Sequence, residues 1–211
     1  VSRLLVATHN PGKLAEFRRL LDGLNAEVVS PEELGVRMDV PEPHATYAEN
    51  AAAKAVALCR DSGEITLADD SGIEVAALDW GPGVHSARFA SPDGPSGAEL
   101  LLDRLAGVAD RRARMVCWLA LATPDTRDGG RPDVELFEGV VSGRMAEQPR
   151  GTGGFGYDPI FELADGRTTA ELPHAEKDAH SHRGRAVAAA MPRLRELLSG
   201  RARMPITAED A

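Results

Sequence analysis

The sequence predicts an α/β fold with a mixed β-sheet flanked by helices. In the first third, short apolar runs of strand length alternate with helical patterns, and the middle of the chain is rich in strands. That order favours a mixed sheet over a purely parallel one. Composition agrees with it: 43% hydrophobic and 27% charged residues are those of an ordinary globular protein, and 211 residues can bury a core without disulfides.

Each element has a local reason. Residues 4–8 form an apolar run of strand length that ends at His9-Asn10-Pro11-Gly12. Leu14, Phe17, Leu20, Leu21 and Leu24 then follow a helical repeat, with Asn10 as cap and Pro11 in the first turn, where its missing N–H costs nothing. Residues 26–30 read as a second strand. Thr46-Tyr47-Ala48-Glu49 is a capping box opening an alanine-rich helix, which carries Asn50 and Lys54 one turn apart. Residues 65–68 read as a buried strand ending in Asp69-Asp70-Ser71-Gly72, and 73–78 resume the sheet. Leu100, Leu101, Leu105 and Val108 mark a helix, and 115–123 is the longest apolar run, suited to a central strand. Residues 134–141 alternate as a further strand. A glycine loop at 151–156, a short strand at 160–161 and a closing helix over 183–198 complete the reading. The chain is read as one domain over 1–199, with a loose tail over 200–211.

Charge and cysteines narrow the function. Thirty-three acidic residues against 24 basic give a net charge of −9, which argues against a nucleic-acid partner. A small phosphate ligand needs only a few local donors and stays open. Cys59 and Cys117 lie far apart in no metal-ligand spacing, as expected of core residues in a reducing compartment. No apolar run approaches the roughly 20 residues that span a bilayer, and the opening segment is too short for a signal peptide. The expectation is a cytoplasmic protein with no membrane partner.

Four segments carry candidate chemistry. Thr8-His9-Asn10-Pro11-Gly12-Lys13 is a strand-to-helix turn, where backbone N–H groups can seat an anion. Lys13 opposes the helix dipole there unless an anion is also present; the alternative is an ordinary turn with a solvated lysine. The spacing is not that of a Walker loop. In Asp69-Asp70, adjacent carboxylates repel unless a cation or donors compensate, and a hard ion such as Mg²⁺ takes such oxygens together with substrate phosphates. Neighbouring side chains on a strand point to opposite faces, so one Asp can face a cleft and the other the fold. Gly151-Thr152-Gly153-Gly154-Phe155-Gly156-Tyr157-Asp158 formally matches a dinucleotide fingerprint, but Asp158-Pro159 blocks the helix that should follow. What remains is a loop that can approach a ligand, with Phe155 or Tyr157 able to stack on a purine. Ser181 can cap the last helix, which puts His182 and Arg183 in its first turn, where a ligand oxygen would balance their charge; the alternative is a pair that is simply solvated. Glu42, in Pro41-Glu42-Pro43, has no local mark.

Together these segments resemble, in order along nearly the whole chain, the inosine triphosphatase family, also called dITP/XTP pyrophosphatases. Glu49-Asn50-Ala51 with Lys54-Ala55, and Gly81-Pro82-Gly83 through Ser86-Ala87-Arg88, add to the match. The resemblance implies an elongated mixed sheet in two lobes around a central cleft, a homodimer and Mg²⁺ dependence. It implies hydrolysis of non-standard purine nucleoside triphosphates (dITP, ITP, XTP) to the monophosphate and pyrophosphate. Carried over residue by residue, it makes Asp70 the proton acceptor for water and a metal ligand, with Glu42 the second ligand. Thr8, His9, Asn10, Pro11, Gly12 and Lys13 become the first phosphate loop, Lys54 a second phosphate-holding lysine, and Ser71 a lining residue. Phe155, Gly156, Tyr157, Asp158, Lys177, His182 and Arg183 would hold the purine and ribose. His9 stands where the family often has glycine, and His180 where an apolar residue is common. Three rival readings are a pyrophosphatase for modified pyrimidine triphosphates or GTP-like substrates, a sensor that binds a purine triphosphate without cutting it, and an interaction domain whose polar loops are merely solvated.

Overall fold

A computed structural model describes residues 2–91, 94–125 and 130–201. In chain order the elements are β1 (Ser2–Val6), α1 (Pro11–Leu20), β2 (Ala26–Val29), α2 (Pro31–Leu34), α3 (Tyr47–Ser62), β3 (Ile65–Val75) and β4 (Gly81–Pro82). Then come α4 (Gly97–Arg104), β5 (Arg112–Thr123), β6 (Asp133–Met145), β7 (Phe161–Glu162), α5 (His174–His180) and α6 (His182–Arg201). The strands form one mixed sheet in the order β2-β1-β3-β5-β6-β7, with β4 on β3. β1 pairs parallel with β2 and β3, and β3, β5, β6 and β7 pair antiparallel in turn.

Strand alternation sorts the core into two faces. Leu4, Val6, Ile65, Leu67, Leu119 and Leu121 pack against Phe17 and Leu21 of α1 and Val187 and Leu194 of α6. Leu5, Ala7, Ala68, Ala120 and Ala122 face Ala51, Ala55 and Leu58 of α3 on the other side. Cys59 and Cys117 are buried on these opposite faces. Farther along the first face, Ile73, Leu101, Met115, Met145 and Phe161 form a third cluster, the heart of a second lobe. Phe17 is fully buried, and Phe17→Ala is expected to cost about 3–5 kcal/mol as a lower urea midpoint; a loss near zero would contradict this packing.

The connectivity creates a crevice. The chain leaves β1 through α1 on one face to β2, then crosses back through α3 on the other face to β3. The carboxyl end of β1 is thus a switch point, where ligands of open α/β sheets bind. β1 pairs with β3 only as far as Leu67, so the next residues of β3 have an open edge there.

Several boundaries differ from the sequence reading. β3 runs unbroken through Asp69-Asp70-Ser71-Gly72, because β5 pairs with it continuously from Thr66 to Val75. The polar run looked like a strand end because half its side chains face a cavity rather than a core. α2, capped by a Ser30–Glu33 capping box, and α5 were not expected; both are too short to show a periodic apolar stripe. α6 continues through Arg201 with Pro192 inside it, past the expected domain end at 199. Of the expected tail, 202–211 lies outside the described residues.

Candidate active site

The crevice holds a cavity of about 340 Å³. Asn10, Lys13, Glu42, Asp70, Ser71, Phe155, Gly156, Tyr157, Asp158, Lys177, His182 and Arg183 all line it. These residues come from every candidate segment of the sequence. Gly72, Ile73, Ser86, the Ser96–Ala98 turn opening α4, and Met115 complete the wall. Gly72 and Ser86 belong to segments the sequence singled out, whereas Ile73, the Ser96–Ala98 turn and Met115 were not anticipated, because each looks like ordinary core or turn until the second lobe folds over β3.

The adjacent aspartates part as strand geometry requires. Asp70 lines the cavity, where its Oδ2 accepts from Asn50 Nδ2 at 3.0 Å and its Oδ1 from the Ser71 amide at 3.0 Å. Burial raises its pKa above the ordinary carboxylate value; Lys54 and Asn50 oppose the shift, and the nearby charge of Glu42 adds to it. Asp69 points into the fold and is 1% exposed. Burial alone would raise its pKa, but Lys13, Arg183 and Lys54 overcome that and hold it well below the carboxylate range.

The cations are already partnered. Lys13 Nζ lies 2.9 Å from Asp69 Oδ2, so the anion that offsets its clash with the helix dipole is a protein carboxylate. Asn10 Oδ1 accepts from the Gly12 and Lys13 amides, which occupies two of the N–H groups of the expected anion seat. Lys54 Nζ donates to Glu42 Oε1 at 2.5 Å and to the Asp69 carbonyl at 2.6 Å. It stands directly behind the cavity wall rather than in it. Lys177 Nζ donates to Glu16 and Asp158, each at 2.6 Å. Arg183 donates from Nη1 to Glu16, and from Nη2 to Asp69 Oδ2 at 3.0 Å and Ser71 Oγ at 3.1 Å. The charges at the start of α6 are thus balanced by Glu16 and Asp69. Glu16 is 4% exposed and was missed, since an acid beside an apolar stripe has no local mark.

Other expected residues take supporting places. Thr8 is buried, and its hydroxyl accepts from the Asn10 amide. His9 turns away from the cavity, with Nδ1 2.9 Å from Glu32 Oε1 and Nε2 2.9 Å from the Met38 carbonyl. Pro11 is exposed at the start of α1. Gly12 is a seat for Phe155: a Cβ there would lie 2.6 Å from the ring. The Phe155 amide is already paired with Asp158 Oδ2 at 2.7 Å, and the Tyr157 hydroxyl donates to the Ser86 carbonyl at 2.7 Å. Ser181 caps α6 by accepting from the Gly184 amide at 2.9 Å, as the sequence indicated. Burial, with the charge of Arg183, drives the His182 imidazole well below its ordinary pKa and keeps it neutral.

Among the described residues no three His, Cys, Asp or Glu side chains converge as a full protein cage for a metal. Two carboxylates, Glu42 and Asp70, face one cavity, and their mutual repulsion is part of what raises the Asp70 pKa. An all-oxygen pair that a cation would relieve fits a hard divalent ion, which completes its shell with water and phosphate oxygens. The arrangement brings carboxylates, lysines and a guanidinium around one space, the groups that phosphoryl chemistry uses. No helix among the described residues is long and apolar enough to cross a membrane.

The sequence matches the model of the Ham1 family over residues 4–193. A dITP/XTP pyrophosphatase of Symbiobacterium thermophilum is 48% identical over 201 residues, covering 93% of this chain and 96% of that protein. The protein of the same description from Ralstonia nicotianae is 47% identical over 200 residues, with 92% and 96% covered. Among solved structures, a HAM1 protein from Coxiella burnetii superposes with a TM-score of 0.79 at 37% identity, covering 93% of this chain and all of that one. A nucleoside-triphosphatase described as a dITP/XTP pyrophosphatase, from Mycobacterium abscessus, gives 0.68 at 42% identity, with 90% and 99% covered. Since the match spans both lobes and every segment that lines the cavity, this chain belongs to the Ham1 family.

Proposed function

We propose that this chain hydrolyses non-standard purine nucleoside triphosphates (dITP, ITP and XTP) to the monophosphate and pyrophosphate, and so cleanses the nucleotide pool. The observation that carries the reading is the convergence of Asp70, Glu42, Lys13, Phe155, Lys177 and Arg183 on one cavity at the switch point of the sheet. The relatives' descriptions supply the substrate class.

In this reading a water attacks the α-phosphorus. A new P–O bond forms, the bond to the bridging oxygen of the β-phosphate breaks, and pyrophosphate leaves. Asp70 takes the water's proton. Asn50 and the Ser71 amide fix the carboxylate, and its raised pKa makes it a stronger base than an exposed aspartate. Lys13 and Lys54 supply positive charge to the phosphates, the first beside the cavity and the second through its contact with Glu42. Glu42 and Asp70 would hold a divalent ion, Mg²⁺ in this proposal, which when bound would supply Lewis-acid neutralisation of the phosphate oxygens. Thr8, Gly12 and Pro11 shape the turn that presents Asn10 and Lys13. His9 would serve that turn from outside, through Glu32 and Met38.

The base end is built from Phe155 to Asp158, Lys177, His182 and Arg183. Arg183 and His182 line the cavity, and the Arg183 Nε and His182 Nδ1 atoms are buried with no hydrogen-bond partner in the fold; in this reading Arg183 offers its donor to the purine 6-oxo edge. Adenine presents an amino group there, and a buried donor facing a donor discriminates strongly. A homodimer and a cytoplasmic location belong to the same proposal; Trp80 and Leu136, each 43% exposed, offer apolar surface that a second copy can cover.

Pyrophosphate release with Mg²⁺ is the test, comparing dITP, XTP, dUTP, dATP and dGTP at equal concentration. The expected result is release from dITP and XTP at least about 100-fold faster than from dATP. Preference for dUTP would overturn the base assignment, and binding of dITP without release would favour the sensor.

A further inference from the structure

The first turn of α6, which carries His182 and Arg183, lies in a furrow across the sheet. Ser71 on β3 pairs with Cys117 on β5, which pairs with Gly139 on β6, giving a transverse row of small side chains. The rows on either side are larger: Asp69, Leu119 and Phe137 on one, and Ile73, Met115 and Val141 on the other. Gly139 is where the helix comes closest. A Cβ there would fall well inside contact with the His182 carbonyl oxygen, 2.6 Å from the Ala186 amide nitrogen and 3.1 Å from the Arg185 Cβ. The first two are backbone atoms of the helix, so no rotamer change can relieve the clash.

The depth of this turn matters because of what it carries. Arg183 is 2% exposed, with both terminal nitrogens committed to Glu16, Asp69 and Ser71. Its Nε and the His182 Nδ1 are buried without a partner, and both residues line the cavity. An arginine pinned at both terminal nitrogens cannot re-aim its Nε if the helix start moves.

We propose that Gly139 is a specificity-determining position: its missing side chain lets α6 settle onto the sheet and sets the depth at which His182 and Arg183 meet the purine. Gly139 is a positioning residue and touches no substrate. The inference rests on the pyrophosphatase reading above.

The test is Gly139→Ala, assayed for kcat and KM with dITP and dATP by pyrophosphate release. Gly63→Ala runs beside it. Gly63 needs glycine for its backbone conformation (φ +71°) rather than for space, since the room around it is open, and it ends α3 at the far end of the strands. Gly139→Ala is expected to raise KM for dITP about tenfold with kcat within about threefold, and to narrow the dITP-to-dATP ratio of kcat/KM about fivefold or more. Gly63→Ala should lose stability while keeping the wild-type KM and ratio. If Gly139→Ala does not fold, Cys117→Val, which fills the same furrow one strand away, decides the matter by the same two readouts. A folded furrow variant with wild-type KM and ratio overturns the inference, as does an equal shift in Gly63→Ala. A wild type that cuts no purine triphosphate overturns the pyrophosphatase reading itself. An active wild type beside an unaltered furrow variant overturns the inference alone.

Discussion

Asp70→Asn is expected to slow pyrophosphate release from dITP by about 10²–10⁴-fold, mostly in kcat. The amide keeps the shape of the carboxylate but cannot take a proton from water. It also halves the carboxylate pair that faces the cavity with Glu42. A loss smaller than about tenfold would move the base role to another group. The same substitution carries an unusual expectation for stability. Burial raises the Asp70 pKa, so the folded protein holds this proton more readily than the unfolded chain does. Its charge therefore destabilises the fold at neutral pH, and that cost fades as the pH falls through the raised folded pKa toward the unfolded value. In metal-free, nucleotide-free protein, Asp70→Asn should melt at or above the wild-type temperature at pH 8, with the gap shrinking by pH 4. A mutant less stable than wild type at pH 8 would contradict this account. Placing a costly carboxylate at an active site is a familiar trade of stability for function.

Asp69→Asn is expected to do the reverse. Asp69 is buried against Arg183, Lys13 and the Ser71 hydroxyl, and its charge is what permits those cations in the interior. Removing one partner of a buried ion pair costs about 3–5 kcal/mol, and the lower end applies here because Glu16 still holds Arg183. Urea unfolding at pH 7 reads this as a lower midpoint with an unchanged slope. The Asp69 pKa is depressed in the fold, so its stabilisation is complete above the unfolded carboxylate pKa and is lost as the pH falls below it. The difference between mutant and wild type should thus narrow in acid. A midpoint shift near zero at pH 7 would mean that the buried chain of charges does not depend on Asp69. The two neighbours together make a sharp comparison: one substitution removes activity and spares the fold, and the other weakens the fold.

Much of this was legible in the chain. Periodicity placed β1, α1, α3, β5 and β6 to within a few residues, because a strand or helix of that length needs an apolar face that its own spacing displays. Asn10, Thr46 and Ser181 were readable as caps, since a cap is a contact between near neighbours. The opposite orientations of Asp69 and Asp70 followed from the pleat of a strand. The lysine and arginine at the two helix starts stood out as poorly matched to the helix dipole, to be balanced by an anion or simply solvated. A ligand was one possible source of those anions; Asp69 and Glu16 supply them.

That last point marks where local reading stops. By itself the sequence determined the longer elements, their order, the caps and which segments bring polar side chains to the cavity, because each depends on residues within a turn or two of one another. Only the tertiary structure decided which charges meet: Glu16 reaches Arg183 across 167 positions and Asp69 reaches it across 114. It also decided that Asn50 holds Asp70, that Gly12 seats Phe155, and that Gly139 receives the start of α6. Such contacts depend on strand register and on the depth to which helices pack, and neither is encoded within any short window of the chain.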